Sequence, residues 1–228
     1  MNTHISIGLL ELGATSMSFL AIQLAENPTT ISFLFNLTPI LVTILGIRFL
    51  GERFNAIEAM GIILTIGGVI LITYTRDTTI REFFGKGSGW ILVSSVFASI
   101  SIVIAKSRIR DIHPGILTLN RVVYLFVFAV AAMIFRQESF HISGKAVFNM
   151  AVGSLFGPLL TGFATYSALR FIEASRTMII QATRSLFVLV GSMIYLSILP
   201  EMLQLTGGLI TIAGVIIMTW GKIRYNKG

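Results

Sequence analysis

The chain has 228 residues, of which 54% are hydrophobic and 12% charged, and its mean hydropathy is +0.86. Soluble domains carry about a quarter charged residues, so this composition excludes an ordinary soluble protein and predicts a membrane protein. The chain has no cysteine, which excludes disulfides, thiolate metal sites and a cysteine nucleophile. The net charge of +7 does not indicate nucleic-acid binding, because the basic residues lie between apolar segments and determine membrane topology.

Eight apolar segments approach the length of about 20 residues that a helix needs to cross a bilayer. In chain order they are Ile5–Leu24, Thr29–Ile47, Ala59–Tyr74, Gly87–Ala105, Pro114–Phe135, Ala146–Leu169, Thr177–Leu199 and Met202–Gly221. Their apolar runs are continuous rather than alternating, which favours helices over membrane strands. We therefore predict an all-α, polytopic membrane bundle of eight transmembrane helices.

The second and third predicted helices flank a short charged turn, Arg48–Arg53. Pro39 lies near the middle of the second helix and Pro158 lies within the sixth. Each proline predicts a helix kink, because proline removes a backbone donor. Asn55 followed by Glu58 resembles a capping box that opens the third helix.

The third helix carries a face of small residues, since Gly61, Thr65 and Gly68 fall at positions i, i+4 and i+7. Such a face lets another helix pack closely in a membrane. The eighth helix carries the matching glycines, Gly207 and Gly214. These four glycines are the predicted helix-packing positions.

An internal repeat relates the two ends of the chain. Residues 168–187 align with 21–40 at a shift of 147, and residues 208–219 align with 62–73 at a shift of 146. Apolar membrane helices align easily by chance, but the glutamate, threonine and glycine matches favour a real repeat. The chain then divides into a partial first repeat of three helices (1–75), a second repeat of five helices (87–221) and a basic cytoplasmic tail (222–228).

The Lys and Arg residues predict the orientation of the helices. Ten lie in the loops and tail on the side of the termini, five lie in the opposite loops, and Arg121 and Arg184 lie within helices, which accounts for all 17. Basic residues accumulate on the cytoplasmic side, so we expect a multi-pass protein of the cytoplasmic membrane with both termini inside. The two repeats then enter the membrane from opposite sides, an arrangement that builds alternating access in secondary transporters.

Two motifs resemble the EamA-type members of the drug/metabolite transporter superfamily. They read NLTPILVTILGIRFLGER…GIILTIGGVIL in the first repeat and YSALRFIEASRT…LPEMLQLTGGLITIAGVI in the second. The resemblance covers nearly the whole chain and implies a fold of ten helices in two inverted repeats of five. This chain supplies eight helices, so the resemblance implies that the first two are absent.

Three ionisable side chains lie at membrane depth, where a charge costs about 2.5–3.5 kcal/mol on insertion scales. At a rise of about 1.5 Å per residue, Glu11 lies about 9 Å deep, and Arg121 and Arg184 lie about 10 Å deep. One interpretation pairs Glu11 with Arg184, or less readily with Arg121, in a polar cavity. The other lets each arginine extend to the membrane interface.

The resemblance implies a central cavity bordered by the first, second, fourth, sixth and seventh helices. On that basis, the predicted substrate-pathway residues are Glu11, Asn36, Tyr166, Gln181 and Arg184. The three histidines are widely spaced, so we expect no metal site, and we find no cofactor motif and no catalytic constellation. We therefore do not expect an enzyme.

Two functions fit these features. The first is a secondary transporter, a permease or exporter that moves small organic metabolites by alternating access, with proton coupling through Glu11 as one mechanism. The second is a non-transporting membrane interaction protein, or a truncated remnant, that needs a partner chain. Both place the chain in a lipid bilayer, and both are consistent with a homodimer or a partner subunit.

Overall fold

The computed structural model describes residues 3–25, 31, 34–73, 85–135, 137, 143–196 and 201–225. Within these residues the regular elements are all helices, which confirms the all-α prediction. In chain order they are α1 (Thr3–Leu24), α2 (Leu37–Leu45, continued by a π-helical turn over Gly46–Leu50), α3 (Ala56–Thr73), α4 (Ser88–Arg108), α5 (Pro114–Phe135), α6 (Gly144–Phe171), α7 (Ala174–Ala182 and Arg184–Leu196) and α8 (Met202–Tyr225).

Five of these helices, α1, α4, α5, α6 and α8, are long and apolar enough to cross a membrane. The apolar helices over Leu37–Leu50 and Ala56–Ile72 are shorter, and α7 is interrupted at Thr183. The prediction of a membrane-embedded, multi-pass protein is therefore confirmed, while the count of eight spans stays a prediction. Some predicted boundaries, Thr29, Tyr74 and Leu199, and residues 226–228 of the tail lie outside the described residues.

The turn between α2 and α3 is set by one glycine and one capping residue. Gly51 has a φ of 68°, a left-handed conformation that favours glycine, and its N–H closes the π-helical turn onto the carbonyl of Gly46. The Asn55 side-chain oxygen accepts a hydrogen bond from the N–H of Glu58 at 2.8 Å, and its amide donates to the Glu58 carboxylate at 3.0 Å. The predicted capping box is present, with the return bond made to the Asn55 side chain rather than to its backbone.

Two helices are interrupted by a single residue that keeps nearly helical dihedral angles. Asn36 separates the helical residues Leu34 and Phe35 from the rest of α2 with φ −69° and ψ −4°, and Thr183 divides α7 with φ −64° and ψ −11°. The first break lies three residues before Pro39, which has no N–H to continue the ladder and whose ring crowds the preceding turn. No proline follows the second break, where the N–H of Leu186 donates to the carbonyl of Thr183 at 2.9 Å.

A third irregularity lies in the middle of α6. Pro158 occupies a π-helical turn over Leu155–Leu159, between the α-helical parts Gly144–Ser154 and Leu160–Phe171. A π-helical turn inserts one residue into the helix and is a common companion of a kink.

The most extensive helix pair in the described chain is α3 with α8. A Cβ atom on Gly61 would lie 2.7 Å from the carbonyl oxygen of Gly214, and one on Gly68 would lie 2.6 Å from that of Gly207. All four predicted packing glycines lie in this contact, which we call the glycine seam (Gly61, Gly68, Gly207 and Gly214). No larger side chain fits there without separating the two backbones.

Candidate functional site

A cavity of about 310 Å³ lies among α1, α2, α4, α5, α6 and α7. The residues Pro39 and Pro158 line it, so the irregular parts of α2 and α6 both border the cavity. Four of the five predicted pathway residues, Glu11, Asn36, Gln181 and Arg184, are on its wall. Its other polar wall residues are Thr38, Arg121, Thr161 and Thr165.

Glu11 is 5% exposed and is held by two partners. Its carboxylate forms an ion pair with Nε of Arg121 at 3.2 Å and accepts a hydrogen bond from the Ser101 hydroxyl at 2.8 Å. The predicted pair of Glu11 with Arg184 is therefore wrong, and the less favoured alternative, a pair of Glu11 with Arg121, is confirmed. The reason is packing, because α5 lies against α1 whereas α7 lies against α2.

Arg184 opens the second part of α7 and is exposed to the cavity. Its guanidinium carbon lies 5.2 Å from the centre of the Phe35 ring, a cation–π distance. Phe35 directly precedes the break in α2 and Arg184 directly follows the break in α7. In the part of the chain that the structure describes, no carboxylate lies within ion-pair distance of Arg184.

The remaining predicted pathway residues occupy two different environments. The Gln181 amide donates a hydrogen bond to the Thr165 hydroxyl and so links α7 to α6 on the cavity wall. Tyr166 is 1% exposed and is not on that wall. It packs in an apolar cluster with Ile7 and Leu117 among others, which also contains the cavity residue Ile102. Tyr166 therefore belongs to the packing that adjoins the cavity.

A group of charged side chains lies where α2 ends, α3 and α7 begin and α8 approaches its end. We call this group, Glu52, Glu58, Glu173, Arg176 and Lys222, the charged end. The apolar cluster around Tyr166 also includes Ala174, the first residue of α7, so it reaches from the cavity to the charged end.

Glu52 caps α7 from another part of the chain. It is 7% exposed, and its carboxylate accepts hydrogen bonds from the N–H groups of Ala174 at 2.6 Å and Ser175 at 3.2 Å, as well as from the Ser175 hydroxyl. A carboxylate at this position satisfies free helix N–H groups and interacts favourably with the helix dipole. Gly46 leaves room for it, because a Cβ atom there would lie 2.6 Å from Oε2 of Glu52.

Arg176 is the centre of the charged end. Its side chain is 6% exposed and forms ion pairs with Glu58 and Glu173, while Lys222 of α8 forms an ion pair with Glu173 at 2.8 Å. Burial disfavours the charged form of Glu173, but hydrogen bonds from Arg176 and Lys222 outweigh it and lower the pKa of that carboxyl to about 2. Sequence reasoning missed this group although Glu52, Glu173 and Arg176 lie within the two motifs that resemble the family, because the contacts join four separate parts of the chain.

Known proteins resemble this chain in sequence and in fold. The family model described as "EamA-like transporter family" matches residues 3–74 and 85–220. A Bacillus subtilis (strain 168) protein named "Uncharacterized transporter YxxF" is 29% identical over 98 residues, which are 42% of this chain and 31% of that protein. The matched part is thus less than a third of the relative's length. A solved structure described as "Crystal structure of protein" aligns with 97% of this chain and 77% of its own at a TM-score of 0.81 and 15% identity, which shows the same fold.

Proposed function

The chain belongs to the EamA-like transporter family, and on that premise we propose that it is a secondary transporter of small organic metabolites in the cytoplasmic membrane. The observation that carries the proposal is the cavity, which collects Glu11, Arg121 and Arg184 from three helices. Ionisable groups at membrane depth are costly and are characteristic of solute and ion pathways. The cavity also holds neutral hydrogen-bonding groups and apolar surface, the combination that binds small molecules.

The proposed mechanism is alternating access between two inverted repeats, residues 1–75 and 87–221, with three and five membrane helices. The glycine seam supports it, because each glycine of α3 faces the counterpart of the other α3 glycine, as a two-fold axis requires. Thr65 and Thr211 repeat the relation, since each hydroxyl donates to the carbonyl four residues earlier at 2.8 Å. Exchanging the two helices therefore maps the contact onto itself.

The two single-residue breaks support the same mechanism. Asn36 and Thr183 are related by the repeat shift of 147, and their dihedral angles agree within 10°. Interrupted helices at corresponding places in two inverted repeats border the solute site in many secondary transporters. With both termini in the cytoplasm, the charged end and the apolar cluster around Tyr166 close the cytoplasmic side of the cavity.

A reconstituted system tests the proposal. The purified chain is placed in proteoliposomes and screened for uptake and efflux of small metabolites with and without an imposed proton gradient. We expect at least one solute to move, and Glu11→Gln to abolish movement driven by the proton gradient. Glu201→Gln, which changes an exposed carboxylate outside the cavity, is the matched control. Absence of any flux contradicts transport, and unchanged proton-driven flux in Glu11→Gln contradicts the coupling role.

The surface of α6 favours a second candidate function, a membrane interaction protein that needs a partner subunit or a second copy of itself. Only 6% of the most apolar stretch of α6 is buried, against 50% of the corresponding stretch of α4. Gly153 and Gly157 also form a small-xxx-small pair with no atom placed to contact an added Cβ. The mass of the detergent-solubilised particle tests this candidate, since a monomer that transports alone contradicts it.

A further inference from the structure

The wall of the cavity carries more positive than negative charge. Its ionisable residues are Glu11, Arg121 and Arg184. Glu11 is already paired with Arg121 at 3.2 Å and accepts a hydrogen bond from Ser101. Arg184 contacts the face of Phe35 but has no carboxylate partner among the described residues. The cavity therefore presents one guanidinium that the described chain does not neutralise.

A fixed positive charge at membrane depth selects the charge of what enters the cavity. It attracts anions and repels cations, and it does so more strongly than in bulk water because the surrounding dielectric constant is low. A guanidinium binds a carboxylate through two parallel N–H···O bonds, and stacking on an aromatic ring leaves its N–H edge free for that purpose. Resting on the proposed transport function, we propose that the solute is a small organic anion whose carboxylate binds Arg184.

Charge and size narrow the class of anion. The single excess positive charge matches one carboxylate, whereas a phosphate monoester carries nearly two negative charges at neutral pH and needs further cations. A volume of about 310 Å³ lies at the low end of the range for small-molecule pockets. Apolar wall residues, Ile102 and Met178 among them, accommodate the uncharged part of the solute. The class is thus a small monocarboxylate with an apolar or neutral polar remainder.

The charge of the anion site comes from one repeat only. At the repeat shift of 147, the counterpart of Arg184 is Leu37, and the counterpart of Phe35 is Ala182. The two helix breaks correspond, but the groups placed beside them do not. The two repeats therefore each place a helix break beside the site, but of the two broken helices only α7 places a charged side chain there.

A stability screen of the full chain in detergent tests the proposal without requiring transport. Small monocarboxylates, including benzoate and 2-oxobutyrate, are each added at about 10 mM, a concentration above a weak Kd of about 1 mM. The carboxamide of each compound and amines of similar size are added at the same concentration for comparison. We expect carboxylates to raise the unfolding temperature and carboxamides and amines to leave it unchanged. Arg184→Gln should weaken the carboxylate effect by about 10- to 100-fold in Kd, and Arg184→Lys by less.

Arg48→Gln is the matched control, because Arg48 is exposed, lies 5.7 Å from the centre of the Phe49 ring and is not on the cavity wall. The proposal is overturned if carboxylates stabilise wild type and Arg184→Gln equally. It is also overturned if only neutral compounds or amines stabilise the protein, or if no compound of the panel does.

Transport is scored separately in proteoliposomes. Carboxylate binding that depends on Arg184 without flux leaves the anion site standing and removes the transport function. If a neutral or cationic solute is transported and Arg184→Gln transports it equally well, the transport function stands and the anion site is removed.

Discussion

The charged end and the cavity both place arginine beside glutamate, yet they balance their charges differently. At the charged end, Arg176 contacts two carboxylates, and the second of these also binds Lys222. The cavity wall has two guanidiniums but one carboxylate, and because Glu11 pairs with Arg121, Arg184 contacts only the ring of Phe35. At the charged end each carboxylate has donors within the chain, Glu52 from the start of α7 and the other two from basic side chains, whereas the cavity has room for a group from outside. The charges that have partners within the chain hold it together, and the guanidinium without a carboxylate partner among the described residues is the one to which we assign the proposed solute.

The largest expected effect comes from breaking the matched group. Arg176→Leu leaves Glu58, which is 1% exposed, without its partner. Removing one member of a buried ion pair costs about 3–5 kcal/mol, so we expect a large fall in the unfolding temperature of the detergent-solubilised protein. Lys222→Gln, at the partly exposed edge of the same group, should cost less than about 1 kcal/mol. If the two variants lower the unfolding temperature by similar amounts, Arg176 is not the central residue of the charged end.

The cavity should respond unequally to loss of its two arginines. Arg121→Gln leaves the buried Glu11 carboxylate unpaired and should destabilise the protein by about 2–3 kcal/mol. Arg184→Gln removes a charge that has no carboxylate partner among the described residues, so we expect the unfolding temperature in the absence of solute to stay unchanged or to rise. Thermal unfolding of both variants in one buffer checks this. A destabilisation by Arg184→Gln as large as that by Arg121→Gln would make Arg184 a structural charge.

The glycine seam can be tested with a variant that leaves every charge of the charged end and the cavity in place. Gly68→Ala puts a Cβ atom 2.6 Å from the carbonyl oxygen of Gly207, and such overpacking should cost about 1–3 kcal/mol. Gly67→Ala is the neighbouring control, because no atom lies within 4 Å of its added Cβ, and it should be neutral or stabilise by up to about 1 kcal/mol. Chemical unfolding of both variants gives the difference, and equal stabilities would show that the helix contact is looser than described.

The smallest expected effect is a pH dependence at the charged end. The pKa of Glu173 is about 2 in the folded chain and 4.5 ordinarily, so its carboxylate stabilises the fold above pH 4.5 and loses that contribution as the pH falls towards 2. Glu173→Gln should therefore lower stability by about 1 kcal/mol at neutral pH, a discounted value because the side chain is partly exposed. The difference from wild type should shrink through that acidic window, as unfolding measured across pH will show. A constant difference would mean that the lost contribution is not the carboxylate charge.

The sequence predicts features that depend on local pattern or composition. The apolar segments predict the helices, because a bilayer requires continuous apolar length. Asn55 and Glu58 predict the cap of α3 from their spacing alone, and the small-residue period in α3 and α8 predicts which face of each helix packs closely against another helix. Each of these signals involves residues within a few positions of one another, so no knowledge of the tertiary packing is needed.

The sequence does not predict features that depend on which helices are neighbours. Depth alone made Arg121 and Arg184 equivalent partners for Glu11, and only the packing of α5 on α1 selects Arg121. Glu52 caps α7 across 122 residues, and Arg176 reaches Glu58 across 118. No nearby proline predicts the break at Thr183, and only its correspondence with the break at Asn36 in the folded chain shows that it is a repeated feature.

The glycine seam has a mechanical consequence. Backbone lies against backbone there, so α3 and α8 have no long side chains between them that could change rotamer and let one helix slide past the other. We expect these two helices to move as one rigid body and to serve as the pivot of the bundle. In the proposed alternating access, we therefore expect the bending that opens either side of the cavity to occur in α2 and α7, at the single-residue interruptions Asn36 and Thr183.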